Sequence, residues 1–321
     1  MTWLHRYTRL LVVATLILIT AGGMVTSTNS GLAVPDWPTT WGQNMFTFPW
    51  SGMVGGIFYE HGHRLIASGV GLLTIGLLIF LWRVEPRRWV RRLGAAALAA
   101  VVLQGLLGGI TVLYLLPDAV SISHAGLAQL FFCLTVTIAL VTSRGWREPA
   151  AAPVDDGRLR RRAALLTGLV YVQILVGATM RHTGAGLAIP DFPLAFGGLL
   201  PPTWTQDIAV HFLHRVGAVV VTAVAVANAA YIWRRHPGRP ELSRPLVVLL
   251  LAIVGQVTLG AFVVLTGKQP VVNTLHVALG AAVLVTSLVL TLRAYRVRFG
   301  RQPEATRAAP DLGTAAPVRQ S

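Results

Sequence analysis

Eight apolar stretches dominate the chain, and each is about 20 residues long, enough to cross a bilayer core of about 30 Å. They run approximately Leu10–Thr28, His61–Trp82, Leu93–Leu116, Ser121–Thr142, Ala163–His182, Ile208–Trp233, Leu246–Thr266 and Val272–Arg293. The fold expected is therefore an all-α integral membrane protein of eight transmembrane helices. Composition agrees: 12% of the 321 residues are charged and 54% hydrophobic, whereas a soluble domain carries about 25% charged residues. The long apolar runs also exclude disorder for most of the length. A single cysteine leaves no internal disulfide, Cys-based zinc site or iron–sulfur cluster to be built from this chain alone.

The net charge of +15 comes from arginines placed between the apolar runs, not on one face, so it reads as topology and not as nucleic-acid binding. Arg6 and Arg9 precede the first span, and basic clusters follow spans two, four, six and eight. The long loops Asn29–Tyr59 and Thr183–Asp207 hold no Lys or Arg. The positive-inside rule then puts both termini in the cytoplasm and both long loops outside. No A-x-A-like cleavage site follows the first span, which reads as retained, and no Arg- and Ser-rich transit segment precedes it. Those features point to a bacterial cytoplasmic (inner) membrane.

The sequence repeats itself. Gly31-Leu-Ala-Val-Pro-Asp-Trp-Pro38 returns as Gly186-Leu-Ala-Ile-Pro-Asp-Phe-Pro193, and His63-Arg64 as His214-Arg215. Gln104-Gly-Leu-Leu-Gly-Gly109 is echoed by Gln256-Val-Thr-Leu-Gly-Ala261, and Ser123-His124-Ala125 by Leu275-His276-Val277. Four spans per copy, an even number, give both copies one topology: two tandem four-helix bundles in a parallel pseudo-twofold repeat. The division expected is an N-terminal half 1–145, a cytoplasmic linker 146–162, a C-terminal half 163–296 and a disordered cytoplasmic tail 297–321.

Ionisable residues inside a span are expensive and are functional candidates by default. His63, His124, His214 and His276 each fall in the first turn of an even-numbered span, so all four share one depth near the outer surface. Histidines facing each other across a bundle build metal or haem sites. Two per half are too few for closed tetrahedral zinc and suit the two axial positions of haem. Glu60 stands three residues before His63, on the same helical face, whereas His211 takes that place before His214. The half with the carboxylate can do acid–base or charge-stabilising chemistry; the simpler reading is a Glu that caps span two or pairs with Arg64. Arg64 and Arg215 read either as holders of haem propionates or as snorkelling residues. His61 reads as structural, His5 and His236 as solvated cytoplasmic residues, and Cys133 as a packing residue.

These residues resemble the bacterial haem A synthase family. The likeness rests on Glu60-x-x-His63 with His124, on His211-x-x-His214 with His276, on the paired Gly-Leu-Ala-x-Pro-Asp-(Trp/Phe)-Pro loops and on Arg181-His-Thr-Gly-Ala-Gly-Leu-Ala188. It extends from Leu10 to Arg293. It implies an oxidoreductase that converts the C8 methyl of haem o to a formyl group by successive hydroxylations, giving haem A for cytochrome oxidase. His214 and His276 would ligate a resident haem b, while His63 and His124 would flank haem o with Glu60 as the catalytic carboxylate. Candidate partners are haem o, haem O synthase, an electron donor or acceptor, membrane lipid and a second copy of the chain. Many members carry a cysteine pair in the outer loop; the corresponding places here are Val34 and Thr40, with Ile189 and Ala195 in the second loop. The competing readings are a diheme b-type electron-transfer protein, which has no need of a carboxylate in one half only, and a repeat-built transporter.

Overall fold

In a computed structural model, which describes residues 3–148 and 154–299, every apolar stretch is a helix. The helices are α1 (Trp3–Ser27), α2 (Gly56–Val84), α3 (Arg88–Leu113), α4 (Asp118–Thr142), α5 (Gly157–His182), α6 (Gln206–Arg235), α7 (Pro240–Leu265) and α8 (Pro270–Phe299). All eight are long and apolar enough to cross a membrane. Local chemistry sets their ends. The Asp156 carboxylate accepts from the backbone N–H of Arg158 and Leu159 to start α5, and the Thr205 hydroxyl accepts from Ile208 N–H to start α6; both satisfy donors that a helix leaves unpaired. Pro240 opens α7, where its missing N–H costs no hydrogen bond. Left-handed residues stop α1 at Asn29 (φ 55°) and α7 at Gly267 and Lys268 (φ 61° and 64°).

Three sequence expectations shift. Residues 157–162, placed in the linker, form the first turns of α5. His5 lies within α1 and is half-buried. His236 is not solvated: its Nε2 lies 2.9 Å from Asp156 Oδ2, which also accepts from the Tyr231 hydroxyl at 2.8 Å. Most of the expected tail, from residue 300, lies outside the described residues.

Helices α1, α4, α5 and α8 occupy the middle, with α1 against α4 and α8, and α5 against the same two. Helices α2 and α3 flank one side, α6 and α7 the other. Of the four middle helices, α4 and α8 are the most enclosed, with 56% and 39% of their apolar windows buried, whereas α1 and α5, at 22% and 17%, fall within the 17–28% of the flanking helices. Two of the packed cores lie toward the arginine-bearing ends. Leu11, Leu77, Leu81, Val90 and Ile138 fill the first half, and Leu159, Ile232, Leu242, Leu246 and Leu290 the second. Leu166, Val170, Leu249, Ile253 and Leu284 form a further core, and Ile189, Ala195 and Ile208 one beneath the second loop. Many other large side chains point outward, as at Leu72, Val219 and Leu251, a surface suited to lipid and not to water. The opposite ends of the even-numbered helices carry the histidines.

Candidate functional site

The two long loops fold around an aspartate each. Asp36 accepts from the N–H groups of Trp41 and Gly42 at 2.8 Å and from the Thr39 hydroxyl, and Asp191 accepts from Phe196 and Gly197 N–H at 2.8 Å. These donors converge because Trp41 and Gly42 (φ 52° and 72°), like Phe196 and Gly197 (57° and 79°), are left-handed. The N–H groups of Gly197 and Phe196 hold the Asp191 carboxyl below the ordinary carboxylate range.

A guanidinium from the helix below pins each loop. Arg64 donates to the carbonyl oxygens of Asp36 (2.8 Å), Thr39 (3.0 Å) and Val34 (3.1 Å). Arg215 donates to those of Leu194 (2.7 Å), Asp191 (2.7 Å) and Ile189 (3.2 Å). Each arginine thus pins three carbonyls of its own loop. Glu60, 4% exposed, completes the first clamp: Oε1 accepts from Arg64 Nη2 at 2.6 Å and Oε2 from Val34 N–H at 2.8 Å. In the second half His211 Nδ1 accepts from Ile189 N–H at 3.2 Å. Glu60 and His211 thus hold equivalent points of the two loops, one with a charge and one without. His61 is structural, its Nδ1 3.0 Å from Thr40 Oγ1. Val34, Thr40, Ile189 and Ala195 are all buried, so packing holds the loops at these positions.

One turn inward sit the four histidines, each against a glycine of the preceding helix. A Cβ would stand 2.9 Å from His63 Cε1 at Gly22, 3.2 Å from His124 Cε1 at Gly108, 2.9 Å from His214 Cε1 at Gly177 and 3.1 Å from His276 Cε1 at Gly260. Any side chain there would push the ring, so glycine sets how close each ring lies to its helix. The rings are half-buried, while Nδ1 of His63, His124 and His276 is shut away without a partner. The His214 and His276 ring centres are 6.4 Å apart. Two imidazoles on opposite faces of one metal, bonded at about 2 Å, have ring centres about 6 Å apart, so this pair fits one haem iron. His63 and His124 are near enough for one to act electrostatically on the other.

A profile of the family described as COX15-CtaA, cytochrome oxidase assembly protein, matches residues 43–289, most of the chain. The chain belongs to this family. Among its curated relatives is the heme A synthase of Symbiobacterium thermophilum, 32% identical over 82% of this chain and 86% of the relative. Those of Shouchella clausii (31%, over 88% and 92%) and Geobacillus kaustophilus (29%, over 95% of both) are similar to it too. With its eight spans and bacterial relatives, this family member is a multi-pass protein of the bacterial inner membrane.

Sequence reasoning missed several residues of the site in this COX15-CtaA protein. The glycine seats carried a signal, because Gln104-x-x-x-Gly108, Gln173-x-x-x-Gly177 and Gln256-x-x-x-Gly260 share one spacing on α3, α5 and α7. Gln173 donates to the His214 carbonyl at 2.7 Å and lies 3.1 Å from its Nδ1. Gln104 donates to the His124 carbonyl at 2.9 Å, and Gln256 lies 3.3 Å from His276 Nε2. On α1 the matching place is Leu18. Arg181 crosses from α5 to α1, donating to Gly23 O at 2.7 Å and Ser27 Oγ at 2.8 Å. Its neighbour His182 is close enough to act on His124, which brings a residue of the second half beside the first-half pair.

Proposed function

We propose that this protein is a haem A synthase, an oxidoreductase that converts the C8 methyl of haem o to the formyl of haem A for cytochrome oxidase. The names of its relatives support the activity. The duplicated histidine pairs, with a carboxylate in one half only, support the division of labour. The N-terminal half, 1–145, receives haem o between His63 and His124; the C-terminal half, 163–296, retains haem b between His214 and His276. The 6.4 Å spacing of the second pair is the observation that carries this reading. Bound there, haem b supplies a one-electron redox centre. The first-span arginines and the basic alternate loops support cytoplasmic termini and an outward-facing site.

The protein's own part is to seat, orient and stabilise. Glycine seats fix the imidazole planes, and glutamines on the same helix faces hold the ligand-bearing backbone. Glu60 is fixed on two sides by Arg64 and Val34, yet a carboxylate has about four lone-pair sites, so Oε1 and Oε2 can still accept a proton or stabilise positive character one turn from His63. A diheme relay is disfavoured because it gives the Glu60–His211 difference no purpose. Haem O synthase fits as the supplier of substrate, and a separate redox partner as the route for electrons. The test is to express the chain in a host that makes haem o but lacks its own synthase, then extract and weigh the haems. Haem A together with haem b is expected; haem b alone, with neither haem o nor haem A, overturns the proposal.

A further inference from the structure

A cavity of about 520 Å³ opens at the arginine-bearing end, between the last turn of α4, the helical turn Arg144–Arg147, α7 and α8. Three guanidinium groups border it: Arg244, Arg293 and Arg296. Arg244 and Arg296 both act on Arg293 as like charges. The one carboxylate on its lining is Glu241, which lies 3.5 Å from Arg239 and also acts on Arg293, so one negative charge is shared among four guanidinium groups. The lower wall is apolar, formed by Leu140, Val248, Val285 and Val289.

The fold holds this arrangement on purpose-built backbone. Pro245 has no N–H, so the carbonyl of Glu241 four residues earlier loses its helical donor; Arg293 Nη1 fills that place at 2.7 Å. Arg296 Nη2 donates to the Trp146 carbonyl at 3.2 Å, and its guanidinium lies 5.7 Å from the centre of the Trp146 ring. Two of the three cations are thereby fixed in place with donors to spare, since each guanidinium has five. Arg244 is exposed and forms no salt bridge with a described carboxylate. The repeat accounts for part of the cluster only. At the offset of 152 residues, Arg92 stands in the place of Arg244 and Arg144 in that of Arg296, but Val141 stands in the place of Arg293, so the third guanidinium belongs to the second half alone.

Like charges held this close repel unless an anion lies between them, and a basic pocket between spans above an apolar wall matches the shape of an anionic lipid. We propose that the cavity binds a phosphate headgroup between Arg244, Arg293 and Arg296, with the acyl chains of an anionic phospholipid along Val248, Val285 and Val289. The lipid would then join α4 of the first half to α7 and α8 of the second.

The test uses the full-length protein, delipidated in neutral detergent. Thermal unfolding is followed with added phosphatidylglycerol, phosphatidylcholine or inorganic phosphate, and co-purified lipid is weighed by native mass spectrometry. Phosphatidylglycerol is expected to raise Tm and to be retained, with the other two having little effect. Arg244→Gln should weaken retention about fivefold, the share of one basic residue near an anionic headgroup. Arg234→Gln, an exposed arginine away from the cavity, should leave it unchanged. Val248→Trp, which fills the apolar wall without altering charge, should weaken it as well. Equal effects of the two lipids, or wild-type retention by Arg244→Gln, overturn the proposal. A Tm rise with inorganic phosphate alone that Arg244→Gln abolishes overturns the lipid assignment in favour of a soluble phosphate.

Discussion

The two halves use the same parts to hold a histidine pair and differ where chemistry would need them to differ. Each has an Asp-centred loop, an arginine pinning three loop carbonyls and a glycine seat for every ring. Glu60 stands against His211, and Leu18 against Gln173. The second half therefore has an uncharged anchor and an extra amide on its first ligand, which suits a cofactor held permanently. The first half has a fixed charge and looser support, which suits a substrate that must enter and leave. Duplication supplies the frame, and on the proposed reading a few substitutions on it separate retention from turnover.

The largest expected effect breaks the comparison outright. His214→Ala or His276→Ala should abolish the low-spin haem b spectrum of the purified protein, since losing one of two axial ligands destroys that spin state. His63→Ala and His124→Ala should keep that spectrum and lose haem A formation. Retention of a full haem b spectrum by the first pair of variants would refute the assignment of the resident site.

Next comes the charged anchor. Glu60→Gln keeps the size and one of the two accepted hydrogen bonds but removes the charge, and haem A formed per mole of resident haem should fall about a hundredfold or more, as for loss of a positioned acid–base group. Haem o or its hydroxylated intermediate should accumulate. His211→Gln, at the matching loop anchor, should leave that ratio near wild type. A Glu60 that only holds its loop would instead lower protein yield and haem content together, with the ratio unchanged.

A smaller effect should come from exchanging the supporting residues. Gln173→Leu gives the second half the first half's side chain, and loss of an outer hydrogen-bond partner of a ligand weakens metal binding about tenfold or more. The haem b midpoint potential and the retained haem per chain report it directly. Unaltered potential and retention would mean that Gln173 merely packs.

The smallest concerns the loops and pH. The backbone donors of Gly197 and Phe196 keep Asp191 below its usual range, so the folded protein binds this proton less readily than the unfolded chain. The stability gained is complete above about pH 4, the value of a free carboxylate, and is lost as pH falls through the lower folded value. Thermal unfolding between about pH 5 and about pH 3, about one unit either side of the free value, should show a shallower decline for Asp191→Asn than for wild type. Parallel curves would sever this link between the loop and the carboxylate.

Much of this site was legible before any coordinates. Four histidines at one depth, a repeat and the Glu60–His211 difference marked the candidate residues on which the proposed pairs are built. The roles of Arg64 and Arg215 were not legible, because their partners are loop carbonyls 21 to 30 residues away in sequence. Nor was the seat at Gly22, whose ring partner His63 lies on the next helix, or the arginine cavity, assembled from α4, α7 and α8.

Span number, span length and family membership followed from the sequence itself, because transfer of apolar side chains into lipid is a local property that each stretch carries alone. Which face of each helix turns inward was decided only in the folded molecule. A spanning helix is apolar toward its neighbours and toward lipid alike, so hydrophobicity cannot fix its rotation. Small residues that admit close approach, and polar side chains with a partner on another helix, fix it instead. Gly22, Gly177 and Gln173 do so here, and their meaning appears only when the helix they face is in place.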